Sequence, residues 1–176
     1  MPHVHAGHGF GQTGKRMDID VKKIIEELDT DKTVVLESRS AADTAALGQR
    51  LGEICAPGQV YTLTGDLGVG KTVFTQGFAR GLGVEGPVNS PTFTILQVYE
   101  DGRMPFYHFD VYRIADVEEM EEIGYEDCFY GEGVCLIEWA NLIEEILPED
   151  SIQVTIEKDL EKGFDYRRIH VKRFSK

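Results

Sequence analysis

Apolar positions along the chain alternate between helical and extended spacing. Ile19, Ile24, Ile25 and Leu28 predict a short amphipathic helix ending near Asp29-Thr30-Asp31, and Thr33 to Glu37 then reads as a strand. Ser40-x-x-Asp43 has the spelling of a capping box. Behind it Ala45, Leu47, Leu51 and Ile54 carry a helical stripe that Pro57-Gly58 should stop. Val60-Tyr61-Thr62-Leu63-Thr64 is β-branched or apolar and predicts a short buried strand. Val73, Phe74, Phe78 and Leu82 return to the helical period, with Gly81 and Gly83 suited to that helix's C-terminus.

In the second half, the alternating stretch Phe93 to Tyr99, the Asp101-Gly102 turn and the stretch Met104 to Phe109 predict a hairpin. Asp116-x-x-Glu119 caps a short helix closed by Gly124. Val134-Cys135-Leu136-Ile137 is the continuous apolar run that a strand covered on both faces requires. Leu142 to Leu147 predicts a brief helix stopped by Pro148, and Ile152 to Ile156 and Arg168 to Phe174 alternate as two further strands.

Between the strand at 60–64 and the helix that follows lies Gly65-Asp66-Leu67-Gly68-Val69-Gly70-Lys71-Thr72, the G-x-x-x-x-G-K-[ST] pattern of a phosphate-binding loop in the strand–turn–helix context it needs. Gly68 and Gly70 let the backbone bend and approach an anion, Lys71 reaches the outer phosphates, and the Thr72 hydroxyl suits Mg²⁺. The expected fold is α/β: a P-loop NTPase-like three-layer domain. Its sheet is mixed parallel and antiparallel, because the hairpin and the terminal strands run against the parallel centre. This domain is expected over 18–176. The first sixteen residues, MPHVHAGHGFGQTGKR, lack usable periodicity, so 1–17 is expected to be a disordered leader, although His3, His5 and His8 are also metal-competent side chains.

Hydrolysis of a bound triphosphate needs an acid near the metal and a group to orient water. Glu138 follows the apolar run 134–137, and Asp110 ends the strand Phe106-Tyr107-His108-Phe109; either could serve the metal. The competing readings are an ordinary strand-end acid for Glu138, and for Asp110 a turn former or an ion-pair partner of Arg113. His108 is either a strand histidine satisfied by a backbone carbonyl or a functional one. Ser90-Pro91-Thr92-Phe93 stands where nucleotide hydrolases carry a switch segment, but such residues also form turns. Trp139, the only tryptophan, is by default a core residue, and its place beside Glu138 also permits stacking.

Composition narrows the partners. The chain has 176 residues and a formal net charge of −13, much of the acid lying between Asp116 and Asp127, which disfavours direct contact with nucleic acid. The acidic run is a solvated helix face or a docking surface for a basic partner. Three cysteines without C-x-x-C spacing suggest neither a disulfide framework nor a zinc site and favour a reducing, cytoplasmic setting. No apolar run approaches the ~20 residues that span a bilayer.

Four motifs together are more specific than the loop alone. Gly-Asp-Leu-Gly-Val-Gly-Lys-Thr at 65–72, Ser-Pro-Thr-Phe-Thr at 90–94, His-Phe-Asp-Val-Tyr-Arg at 108–113 and Leu-Ile-Glu-Trp at 136–139 have the order and spacing of the TsaE (YjeE) family, which the chain resembles from about Ser38 to Phe174. The resemblance implies a slow ATPase that assists threonylcarbamoyladenosine modification of tRNA by acting on the TsaD–TsaB complex, with ATP and Mg²⁺ as cofactors and tRNA met only through that complex. By position it implies that Gly68, Val69, Gly70, Lys71, Thr72 and Val73 wrap the phosphates. Thr72 and Glu138 would hold Mg²⁺, Asp110 would assist hydrolysis and Thr92 would belong to the switch. Ala41 and Arg167 fall in regions near the base. Val73 stands where family members commonly have a second threonine, so the backbone N–H survives and the hydroxyl is lost.

Two other readings stand beside this one. The loop also serves small-molecule kinases, although Arg103, Arg113, Arg167 and Arg168 do not cluster in sequence as a basic lid would. A regulatory module that binds nucleotide only to change shape is the non-enzymatic alternative. A GTPase is less favoured, because no Asn-Lys-x-Asp signature is present.

Overall fold

Successive residues of the central strands are buried on opposite sides of one sheet, and each side is covered by its own helices. The structure is a computed structural model that describes residues 20–174; the leader expected over 1–17 lies outside the described residues. Seven strands, β1 (Val34–Ser38), β2 (Val60–Thr64), β3 (Leu96–Tyr99), β4 (Phe106–Asp110), β5 (Val134–Glu138), β6 (Ile152–Lys158) and β7 (Arg167–Arg173), form one sheet in the order β1-β7-β6-β2-β5-β4-β3. The centre β6-β2-β5-β4 is parallel. The hairpin strand β3 and the strands β7 and β1 are antiparallel to their neighbours. The mixed α/β sheet expected from the sequence is therefore present.

On one face Tyr61, Leu63, Phe106 and Leu136 pack against α1 (Val21–Leu28), α2 (Ala41–Ile54) and α3 (Lys71–Gly81). On the other face Val60, Phe109, Cys135 and Ile137 pack against α4 (Glu118–Ile123), α5 (Tyr125–Phe129) and a 3₁₀ segment at Ala140–Ile146. The run 134–137 is buried on both faces, as parallel strands require.

α2 and α3 touch backbone to backbone. A Cβ added to Gly48 would lie 2.2 Å from the Phe74 carbonyl oxygen, and one added to Gly77 would lie 2.1 Å from that of Ala45; Gly52 and Gly81 meet the opposite helix just as closely. This seam holds α3, and with it the loop that opens it. α2 starts at the predicted cap: Ser40 accepts from the Asp43 N–H, and the Asp43 carboxylate accepts from the Arg39 N–H. α3 closes through paired bonds from Gly83 N–H to Arg80 O and from Val84 N–H to Ala79 O.

Three elements depart from the periodicity. β3 begins at Leu96 rather than Phe93, because the Ile95 N–H returns to the Pro91 carbonyl at 2.8 Å and Ile95 adopts φ +66°, which leaves Phe93 83% exposed. Gly124 ends α4 as expected, but a second short helix follows at once and buries Tyr125, Cys128 and Phe129. The helix expected over Leu142–Leu147 is the 3₁₀ segment Ala140–Ile146, broken at Ile143 with φ −126°. Leu147 is extended, as a residue before proline prefers.

Gly77→Ala should cost about 1–3 kcal/mol of stability, as overpacking of a tight contact does, read as a lower urea midpoint. All three cysteines are free and buried, and burial pushes the Cys55 thiol up to about 11 and the Cys135 thiol well above its ordinary value. Native protein at pH 8 should accordingly resist thiol alkylation at Cys55 and Cys135, and unfolded protein should not, measured by mass spectrometry of labelled peptides.

Candidate functional site

β2 ends at Thr64, and the chain turns through residues 65–70 before Lys71 opens α3. Gly70 sits at φ +111° and Gly68 at φ +74°, conformations that a side chain would strain. Gly70 offers no side-chain cap to α3, so the N–H groups of Lys71, Thr72 and Val73 have no acceptor within the helix and form a donor set for an anion. Val69 is buried, and its carbonyl accepts a 2.7 Å hydrogen bond from Arg167 Nε on β7. The same guanidinium donates to the carbonyls of Phe164 and Tyr166, so Arg167 ties the loop to the segment that leads into β7.

Ala41 opens α2 on its exposed side. One turn later, the Thr44 methyl lies 3.8 Å from where a Cβ on Gly70 would stand. Next to these residues the Arg39 guanidinium lies 5.9 Å from the Tyr166 ring centre, and the Tyr166 hydroxyl donates to Glu37, holding that carboxyl below its ordinary range. The two segments assigned to the base region are thus adjacent in space, through the register pair Ser38 and Arg167.

Strand register brings the acids to the loop. Leu63 of β2 pairs with Glu138 of β5, and Glu138 pairs with Asp110 of β4, so both carboxylates stand at the edge of the sheet where β2 enters the loop. Thr72, Thr75, Val88, Asn89, Ser90, His108 and Glu138 line one crevice. Thr72 and Glu138, sixty-six positions apart in sequence, therefore face the same space. Mg²⁺ is held by few protein ligands plus phosphate oxygens and water, and a hydroxyl and a carboxylate in a shared crevice beside uncapped N–H donors fit that requirement.

Asp110 Oδ2 accepts from the Ser90 hydroxyl at 3.3 Å, Ser90 lies 3.2 Å from the Thr92 hydroxyl, and Asp110 Oδ1 accepts from the Tyr112 N–H at 3.1 Å. The turn-forming role of Asp110 is therefore real and coexists with its bond to Ser90, which lines the crevice. Among the described residues Arg113 does not pair with it; its guanidinium lies 4.7 Å from the centre of the Phe93 ring. The segment 90–92 is joined to the acid of β4, which periodicity alone did not reveal. Trp139 is not a core residue: it adopts φ +64°, is 42% exposed, and meets the Tyr112 ring in a tilted contact, centroids 4.9 Å apart and planes at 50°, while Lys71 Nζ lies 5.2 Å from its ring centre. Thr75 and Asn89 also line the crevice; their only sequence signals were their positions one helical turn after Lys71 and immediately before Ser90. No helix among the described residues is long and apolar enough to cross a membrane.

Removing the tether should loosen the loop. In Arg167→Ala, amide hydrogen exchange at Gly68 to Gly70 is expected to accelerate while exchange in β5 stays unchanged, as measured by mass spectrometry.

The family model described as Threonylcarbamoyl adenosine biosynthesis protein TsaE matches residues 38–169. The chain is 51% identical over 127 residues to the tRNA threonylcarbamoyladenosine biosynthesis protein TsaE of Bacillus subtilis, covering 72% of this chain and 77% of that protein. To the protein of the same description from Treponema pallidum it is 46% identical over 119 residues, covering 68% and 87%. It is also similar to the crystal structure of Bacillus subtilis YdiB, with a TM-score of 0.68, 42% identity, and coverage of 80% of this chain and 84% of that one.

Proposed function

The chain belongs to the TsaE family, and from that premise we propose that it is a magnesium-dependent ATPase that assists threonylcarbamoyladenosine modification of tRNA by acting on the TsaD–TsaB complex. Its part in tRNA threonylcarbamoyladenosine biosynthesis follows from the family; the ATPase activity and the partners are our reading. The observation that carries it is that Thr72, the last residue of the loop motif 65–72, and Glu138 line one crevice.

Each residue then has a task. The N–H groups of Gly68 to Val73 and the Lys71 ammonium bind the phosphates, Lys71 leaving the Trp139 ring to do so. Thr72 and Glu138 hold Mg²⁺, which when bound neutralises charge on the outer phosphate oxygens. Asp110, braced by Ser90 and the Tyr112 N–H, orients the attacking water, and Thr92 responds to the terminal phosphate through Ser90. Ala41 and Arg167 border the base. Val73 contributes its N–H alone. A chain of net charge −13 meets tRNA through its partners rather than by its own surface, in the cytoplasm.

A metabolite kinase finds less support. Arg103 is committed to the carbonyls of Gly52, Glu53 and Cys55 at the end of α2, and Arg168 pairs with Asp159, so neither serves as a lid.

The direct test mixes the protein with TsaD and TsaB and follows ATP turnover and modified tRNA together; both should rise with all three proteins present. Calorimetry that detects no binding of magnesium and ATP would overturn the reading. Lys71→Ala should weaken nucleotide binding, seen as a shifted titration of Trp139 emission. Glu138→Ala should keep binding and lose about 10²–10³ in hydrolysis rate.

A further inference from the structure

The roles above leave one buried polar ring without a task. His108 on β4 is 2% exposed, and among the described residues neither of its ring nitrogens has a hydrogen-bond partner. The backbone carbonyl that would satisfy an ordinary strand histidine does not reach it. Burying an imidazole in this way is unfavourable, and an apolar side chain would pack at lower cost. Packing therefore does not account for a histidine here.

Its surroundings point to a target. The ring lies parallel to Phe106, with centroids 6.0 Å apart and planes 7° from one another, which restrains its plane. His108 pairs in register with Leu136, so Glu138, two residues further along β5, projects from the same face of the sheet. His108 Nε2 and Glu138 Oε2 are 3.6 Å apart. That is too long for a formed hydrogen bond, and a closing movement of about 0.6–0.7 Å would make one. Both side chains line the crevice that holds Thr72.

We propose that His108 is a positioning residue for Glu138: the imidazole donates its Nε2–H to Glu138 Oε2 when nucleotide and metal are bound, and so sets the rotation of the carboxylate. The inference rests on the reading of Glu138 as a magnesium ligand. Groups that orient a ligating carboxylate typically contribute about 10–100-fold to metal affinity.

The test is a Mg²⁺ titration of the full chain with a non-hydrolysable ATP analogue, followed by Trp139 emission, in wild type, His108→Ala, His108→Asn and His108→Gln. The Gln amide can stand near the position of Nε2; that of Asn stands nearer Nδ1. His108→Ala and His108→Asn should raise the Mg²⁺ midpoint about 10-fold or more, His108→Gln should recover most of it, and analogue binding in EDTA should be the same in all four. Thermal melts identify any variant that does not fold. Equal midpoints in wild type and a folded His108→Asn would overturn the proposal alone, as would a folded His108→Gln impaired as much as His108→Asn. A wild type that shows no magnesium-dependent response would remove the ATPase reading together with it.

Discussion

The parallel pairing of β2 with β5 is the constraint on which the site depends. Val60 to Leu63 lie against Cys135 to Glu138, so the strand that enters the phosphate loop and the strand that ends in Glu138 finish side by side. Parallel strands place their carboxyl ends on one edge, where ligands of open α/β sheets bind. The pairing persists because both strands are buried on both faces, in two separate cores. A slip of one residue would turn Leu136 and Glu138 to the opposite face and exchange the two cores.

Around that pairing the fold treats the loop and its rim differently. The loop is held from behind: the glycine seam locks α3 to α2, Arg167 binds the Val69 carbonyl, and Val69 is itself buried. The rim is apolar and open. Leu67 at the loop tip is 97% exposed, and Phe93, Tyr112 and Trp139 are exposed on the segments that carry Thr92, Asp110 and Glu138.

Much of this was legible in the chain. The loop spelling, the buried run 134–137 and the Ser40 cap each rest on interactions within a few residues, and the sheet's mixed character followed from the hairpin and the alternating C-terminal strands. The misreadings share a cause. Phe93 to Ile95 alternates like a strand, but the bond from Ile95 to Pro91 turns it; Trp139 is large and apolar, but its left-handed backbone carries it out over Lys71. In both cases backbone geometry overrode side-chain preference.

By itself the sequence determined the glycine-rich turn and its motif, the order of the seven strands along the chain and the family, because these are written in local spacing and in motifs. Only the tertiary structure decided that Glu138 shares a crevice with Thr72, that Asp110 takes the Ser90 hydroxyl, that Arg167 braces the loop from behind, and that His108 is buried beside a carboxylate without a bonded nitrogen. Those relations depend on which strands pair and in which register. Register is set by the burial of two whole faces at once, a property that no single stretch of sequence carries.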